Sequence, residues 1–257
     1  MILDKIIKTK KEEVAQLKKE VSQAQLQKII AGLEPCHDFK KALKNNDCNI
    51  IAEVKCASPS RGILIVDFDP VHIARMYEDN GAAAISVLTD EKYFSGHKIY
   101  LTQIRKEVCL PLLRKDFIID PIQIYETRAI GADAILLIVR TLGNKLKEFI
   151  SLAQGIGLYP LVEVHTEAEL DSALKAGAEI IGINNRNLDT FVTDIDTSIR
   201  LRTRIPKDKI IVAESGIRER KDIEWLIMDG INAFLIGEHL VMAPDIGKKL
   251  REFRGEI

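Results

Sequence analysis

The sequence predicts an α/β fold, a closed (βα)8 TIM barrel carrying an N-terminal helical extension, and three observations carry that expectation. Eight short apolar runs of strand length follow one another from residue 49 onward. Segments with helical periodicity separate them. A similar element precedes every second run: NGAAAISV at 80–87, IGADAILL at 130–137, AGAEIIGI at 176–183 and DGINAFLI at 229–236. Gly81, Gly131, Gly177 and Gly230 in these elements fit the left-handed residue that ends a helix before a strand. They recur about every two βα units, so the chain reads as a fourfold repeat of βα pairs, as a closed eight-stranded barrel requires. The rival is an open, doubly wound sheet. That fold would carry a nucleotide loop after its first strand, and KCASPSRG at 55–62 has neither a G-x-G-x-x-G pattern nor a Walker lysine.

In chain order, residues 1–45 form the helical extension and 49–257 the barrel, together one domain. Residues 1 to 33 read as helical, because Ile2, Ile6, Ile7, Val14, Leu17, Val21, Leu26, Ile29 and Ile30 recur at three- and four-residue steps. The run KTKKEE at 8–13 reads as a solvated face. Pro35 ends this stretch, and a short helix over 38–44 follows. The expected strands are 49–55, 83–89, 111–116, 133–139, 158–164, 179–185, 209–215 and 232–238. Asp69-Pro70 and Asp120-Pro121 each offer a capping acceptor followed by a proline suited to a first helical turn. Thr166 and Glu169 have capping-box spacing and start a helix directly after the fifth strand.

Charge and composition exclude several classes. Lys plus Arg total 37 against 38 Asp plus Glu, a net charge of −1. That balance argues against nucleic-acid or anionic-membrane partners, which favour a basic excess. No apolar run approaches the ~18–20 residues of a membrane span, and the first residues lack the apolar core of a secretory signal. A cytoplasmic protein is expected. Cys36, Cys48, Cys56 and Cys109 are scattered without a C-x-x-C pair, so reduced thiols are expected rather than a disulfide or zinc framework. His37, His72, His97, His165 and His239 form neither an H-x-x-x-H nor an H-E-x-x-H pattern, and no metal is expected.

Barrel active sites lie at the carboxyl ends of the strands, and alternate strands supply one interior layer. Strand 1 ends in Glu53-Val54-Lys55, strand 3 in Lys115-Asp116, strand 5 in Glu163 and strand 7 in Glu214-Ser215. The even strands end in Thr89, Arg140, Asn184 and Gly237. Strand alternation points Glu53 and Lys55 the same way, so Glu53, Lys55, Lys115, Glu163 and Glu214 form one cluster at the mouth. Ordinary rim salt bridges, which stabilise little, are the competing reading; the shared pattern of four odd strands favours the cluster. Two lysines beside three carboxylates can be driven apart in pKa for acid–base work. The loops ESGI at 214–217 and IGEH at 236–239 follow strands 7 and 8, where barrels grip phosphate. There the Glu238 N–H can serve while its carboxylate turns away. The loop SPSRG at 58–62 adds Ser58, Ser60 and Arg61.

The segments IAEVKCASPSRG (51–62), LTDEKYFSG (88–96), LLRKDFIID (112–120), LVEVHTEAEL (161–170), IGINNRNL (181–188) and VAESGI (212–217) together closely resemble indole-3-glycerol-phosphate synthase. The resemblance covers essentially the whole chain. It implies a lyase of tryptophan biosynthesis that takes the phosphorylated small molecule 1-(2-carboxyphenylamino)-1-deoxyribulose 5-phosphate. The enzyme closes the ring, expels carbon dioxide and water, and forms indole-3-glycerol phosphate without a cofactor. The resemblance further implies Lys115 as general acid and Glu163 as general base. Lys55 would bind the substrate carboxylate and donate a proton during dehydration, with Glu53 and Glu214 orienting the lysines and the substrate. Asn184, Arg186 and Phe94 would surround the anthranilate part, while Ser58, Ser215, Gly216, Gly237 and Glu238 would line the phosphate pocket. A monomer is implied.

The sequence departs from the family pattern at Cys56, Ile122 and His239, none of which removes a catalytic position. Two other readings stay open at this stage. One is a different phosphate-binding barrel enzyme, such as a sugar-phosphate isomerase or an aldolase using Lys115 as a Schiff base. The other is a barrel retained for a structural role.

Overall fold

A computed structural model describes residues 2–59, 61–187 and 192–257; Ser60 and Leu188, quoted above, lie outside the described residues. Eight parallel strands close into a barrel: β1 (Asn49–Val54), β2 (Ala84–Leu88), β3 (Leu112–Lys115), β4 (Ala134–Ile138), β5 (Tyr159–Val164), β6 (Ile180–Asn184), β7 (Ile210–Glu214) and β8 (Ala233–Ile236). Around the barrel the order is β1-β8-β7-β6-β5-β4-β3-β2, with β2 returning to β1. Each expected run supplies one strand, trimmed by one or two residues at its ends.

Side chains alternate cleanly between two packed faces. Ile51, Leu113, Leu161 and Val212 point into the barrel, where Phe39 and Leu43 join them. Ile50, Ala52, Val54, Val162 and Val164 point outward and pack in the core that lies beneath the surrounding helices. The interior is thus a filled core rather than a pore, and the charged side chains Glu53, Lys115, Glu163 and Glu214 come at the carboxyl ends of its strands. The four glycines of the repeat all have φ between 82° and 94°, a backbone state that costs glycine least. Asp69, Asp120 and Thr166 each cap the helix assigned to them.

Two expectations need correction. The continuous helix over 1–33 is two helices, α1 (Ile2–Glu20) and α2 (Gln23–Ile30), with the short α3 (Phe39–Ala42) after Pro35. Ser22 breaks the run through a capping box: its hydroxyl accepts from Gln25 N, and Gln25 Oε1 accepts from Ser22 N at 2.8 Å. The tract 8–13 is also not a solvated face throughout. Lys10 at its centre is 2% exposed, with its ammonium 2.7 Å from Asp116 and 3.1 Å from Asp90. The extension docks on the barrel flank, where Val14, Leu17 and Leu26 pack with Ile122 and Tyr125.

Candidate active site

Glu53, Lys115, Glu163 and Glu214 each stand two residues beyond one of the inward-pointing apolar residues named above, so the odd strands place all four in a single interior layer. Alternation brings Lys55, just past β1, to the same face. The Lys115 ammonium donates to Glu214 Oε2 at 2.8 Å and lies 3.9 Å from Glu53 Oε2. Lys55 pairs with Glu53 Oε1 at 3.2 Å. Two glycines, Gly182 on β6 and Gly237 directly after β8, make room for these carboxylates. A Cβ on Gly237 would lie 2.4 Å from Glu53 Oε1, and one on Gly182 would lie 2.1 Å from Glu214 Oε1.

This arrangement sets the titrations of Lys115, Glu163 and Glu53 apart. Burial raises the Glu163 carboxyl, and the nearby Glu214 charge raises it further, to about 7, against the opposing pull of Lys115 and a hydrogen bond from Asn184. Burial alone would lower Lys115, but Glu214, Glu53 and Glu163 outweigh it and hold the ammonium well above its ordinary range. Burial likewise opposes ionisation of Glu53, yet Lys55 and Lys115 win and keep its carboxyl below the usual carboxylate range.

Around this layer lies one cavity of about 320 Å³. Every expected site residue borders it except Glu214, which is fully buried and touches Lys115. Phe94 ends the short α-helix Glu91–Phe94, with its ring 5.6 Å from the Lys55 ammonium and 6.2 Å from the ring of Phe117. On the opposite rim Ser215 (φ 65°) and Gly216 (φ 83°) turn the backbone after β7. Asn185 holds that turn by donating to Ser215 O at 3.0 Å, and itself accepts from the Ser198 hydroxyl at 2.8 Å. Ser58, Gly237, Glu238 and His239 complete this side. The Glu238 carboxylate engages Arg61 at 2.8 Å and Arg186 at 3.7 Å.

Some contributors escaped the sequence reading. Phe117 sits inside LLRKDFIID yet forms the second aromatic wall. Asn185 and Gly182 lie inside IGINNRNL, yet hold a turn and leave space in ways that motif does not spell out. Tyr77 donates its hydroxyl to Glu53 O at 3.0 Å from the helix Pro70–Asp79. Arg140, expected at a strand end, instead lies exposed in the helix Val139–Leu142.

The family profile described as indole-3-glycerol phosphate synthase matches residues 3–253. The chain belongs to the indole-3-glycerol phosphate synthase family. A relative named indole-3-glycerol phosphate synthase from Alkaliphilus metalliredigens is 52% identical over 100% of this chain and 99% of its own length. Another of that name, from Endomicrobium trichonymphae, is 50% identical over 99% and 100%. Membership in the indole-3-glycerol phosphate synthase family makes this chain a decarboxylating lyase of tryptophan biosynthesis that acts on a phosphorylated small molecule. Among solved structures, 3-hexulose-6-phosphate synthase from Salmonella typhimurium superposes with a TM-score of 0.66 at 15% identity, covering 80% of this chain and 97% of that one. Thiamine phosphate pyrophosphorylase from Pyrococcus furiosus gives 0.61 at 16% identity, covering 82% and 96%. At such identities the likeness concerns the barrel alone. No helix among the described residues is long and apolar enough to cross a membrane.

Proposed function

We propose that the cavity converts 1-(2-carboxyphenylamino)-1-deoxyribulose 5-phosphate into indole-3-glycerol phosphate, with Lys115 as general acid and Glu163 as general base. The observation that carries this division is the opposed protonation of the two groups in one layer: Lys115 is held charged, while Glu163 titrates near neutrality. The ring carbon bearing the carboxylate attacks the ketone carbon, and Lys115 passes its proton to the ketone oxygen. Loss of carbon dioxide returns the C–C bonding pair to the ring. Lys55 first binds the substrate carboxylate and then protonates the departing hydroxyl, which leaves as water. Glu163 takes the proton from the neighbouring ring carbon, completing the indole. Two protons are given and one is taken, and the net proton consumed balances the conversion of carboxylate to carbon dioxide.

Glu53 and Glu214 orient the two lysines, the latter from beneath. Phe94, together with Phe117, walls the anthranilate ring, and Asn184 and Arg186 border it. Ser58, the turn at Ser215 and Gly216, and the backbone at Gly237 and Glu238 hold the phosphate. A positioned acid of this kind contributes roughly 10²–10⁴ in rate, and clamping both ends of a flexible substrate adds an orientation gain. The same reading takes extension and barrel as one domain and the chain as a cytoplasmic monomer, which light scattering would test by returning the mass of one chain.

The primary test is indole fluorescence on mixing purified protein with the carboxyphenylamino-deoxyribulose phosphate in the presence of chelator. A rise proportional to enzyme concentration is expected. No rise from folded protein, or a Schiff base on Lys115 trapped by borohydride, would refute the assignment.

A further inference from the structure

We propose that Lys10, on the N-terminal helix α1, is a positioning residue for the reaction, its buried ammonium tying the strand end that carries Lys115 to the short helix that carries Phe94. The ammonium meets Asp116 Oδ1 at 2.7 Å, Asp90 Oδ2 at 3.1 Å and, on its own helix, Glu13 Oε2 at 2.6 Å. Asp116 directly follows Lys115, and Asp90 is the N-cap of the helix Glu91–Phe94, where Oδ1 accepts from Tyr93 N at 2.8 Å. The neighbouring Thr9 reinforces this grip, its hydroxyl standing 3.1 Å from the Tyr93 hydroxyl. Asp116 is otherwise fixed by the Thr89 hydroxyl at 2.6 Å and by Arg114 at 3.1 Å. One cation therefore bridges the ends of β2 and β3 at the places from which Phe94 and Lys115 reach the cavity.

Adhesion does not require such a bridge. Val14, Leu17 and Leu26 already dock the extension through apolar contact, and buried ion pairs seldom stabilise more than apolar residues of similar volume. What a bridge supplies is fixed geometry, because two carboxylates from two separate loops must converge on one nitrogen. Without the ammonium, Asp116 would keep only Arg114 as a cation, and the buried Asp90 carboxylate facing it would repel it, moving the aromatic wall relative to the acid.

The inference rests on the roles proposed for Lys115 and Phe94. Three variants, Lys10→Met, Lys10→Arg and Asp90→Asn, would be assayed by indole fluorescence with kcat and KM resolved separately, and their folding followed by circular dichroism and thermal melting. Folded Lys10→Met is expected to lose ~10–100-fold in kcat/KM, with kcat falling and KM rising. Lys10→Arg, which keeps a cation able to reach both carboxylates, should recover most of kcat. Asp90→Asn keeps a good helix cap but loses one arm of the bridge, so KM should rise several-fold while kcat stays within about twofold. Wild-type kinetics in Lys10→Met, a lowered melting temperature without a kinetic change, or no recovery with arginine would overturn the proposal. Should Lys10→Met not fold, an unchanged KM in Asp90→Asn overturns it instead. An inactive wild type, or an active Lys115→Ala, would overturn the catalytic roles themselves, whatever the Lys10 variants do.

Discussion

The pH dependence of kcat/KM follows from the environment of Glu163. A general base must be ionised to work, and the profile of kcat/KM reports the free enzyme. With its pKa at about 7, Glu163 passes from roughly 9% to roughly 91% ionised between pH 6 and pH 8, so kcat/KM should rise about tenfold over that interval. An unperturbed glutamate would give a flat response there. Substrate phosphate also ionises near pH 6, so the position of the inflection needs a second handle. Glu214→Gln supplies it. Removing that charge takes away a like-charge contribution that raises Glu163, and the inflection should move to lower pH although turnover itself falls. Initial rates of indole-3-glycerol phosphate formation across pH 5 to 9, with substrate well below KM, would measure both curves. A flat wild-type profile, or an inflection that stays in place in Glu214→Gln, would refute Glu163 as the titrating base.

Three further outcomes are expected. Glu163→Gln should be more stable than wild type at pH 8: the folded carboxyl binds its proton more tightly than the unfolded one (about 7 against 4.5), so native stability falls as pH rises through that window. The full effect is ~3 kcal/mol above pH 7, or roughly 5–10 °C in melting temperature, and should vanish near pH 4; melts at both pH values check it. Lys115→Ala should lower kcat by ~10²–10⁴ while leaving KM near its wild-type value, and chemical denaturation should show a loss of ~3–5 kcal/mol because Glu214 is left as an unpaired buried charge. Gly237→Ala should cost ~1–3 kcal/mol by overpacking and about 10²-fold in kcat/KM, since its Cβ would displace Glu53 from Lys55; calorimetry and kinetics together test this.

The barrel was legible because its strands are buried on both faces and so stand out as apolar runs. A charged residue at the end of such a run is conspicuous, which is how Glu53, Lys115, Glu163 and Glu214 could be found. Depth was not legible: nothing in the order of residues says that Glu214 lies under Lys115 instead of beside the cavity. Lys10 escaped for a related reason, since helical periodicity assigns a lysine to water and the two aspartates that bury it come from distant loops. The break at Ser22 was hidden by apolar spacing that continues across it, and Arg140 by a chain that turns helical as soon as β4 ends. Gly182 and Asn185 work by leaving space and by holding a backbone turn, and each depends on partners that only the folded chain brings near.

The barrel closes where β1 meets β8, with Asn49 opposite Ala233 and Ala52 opposite Ile236, and Gly237 packs against Glu53 at the top of that seam. Synthesis produces Glu53, Lys55 and Lys115 long before the strand that completes their surroundings, so a nascent chain holds both site lysines without a complete site. A partly assembled barrel would therefore be chemically silent, and turnover counts only molecules whose two most distant strands have joined. Loss of activity during unfolding should then coincide with opening of this seam, even while helices elsewhere keep their structure.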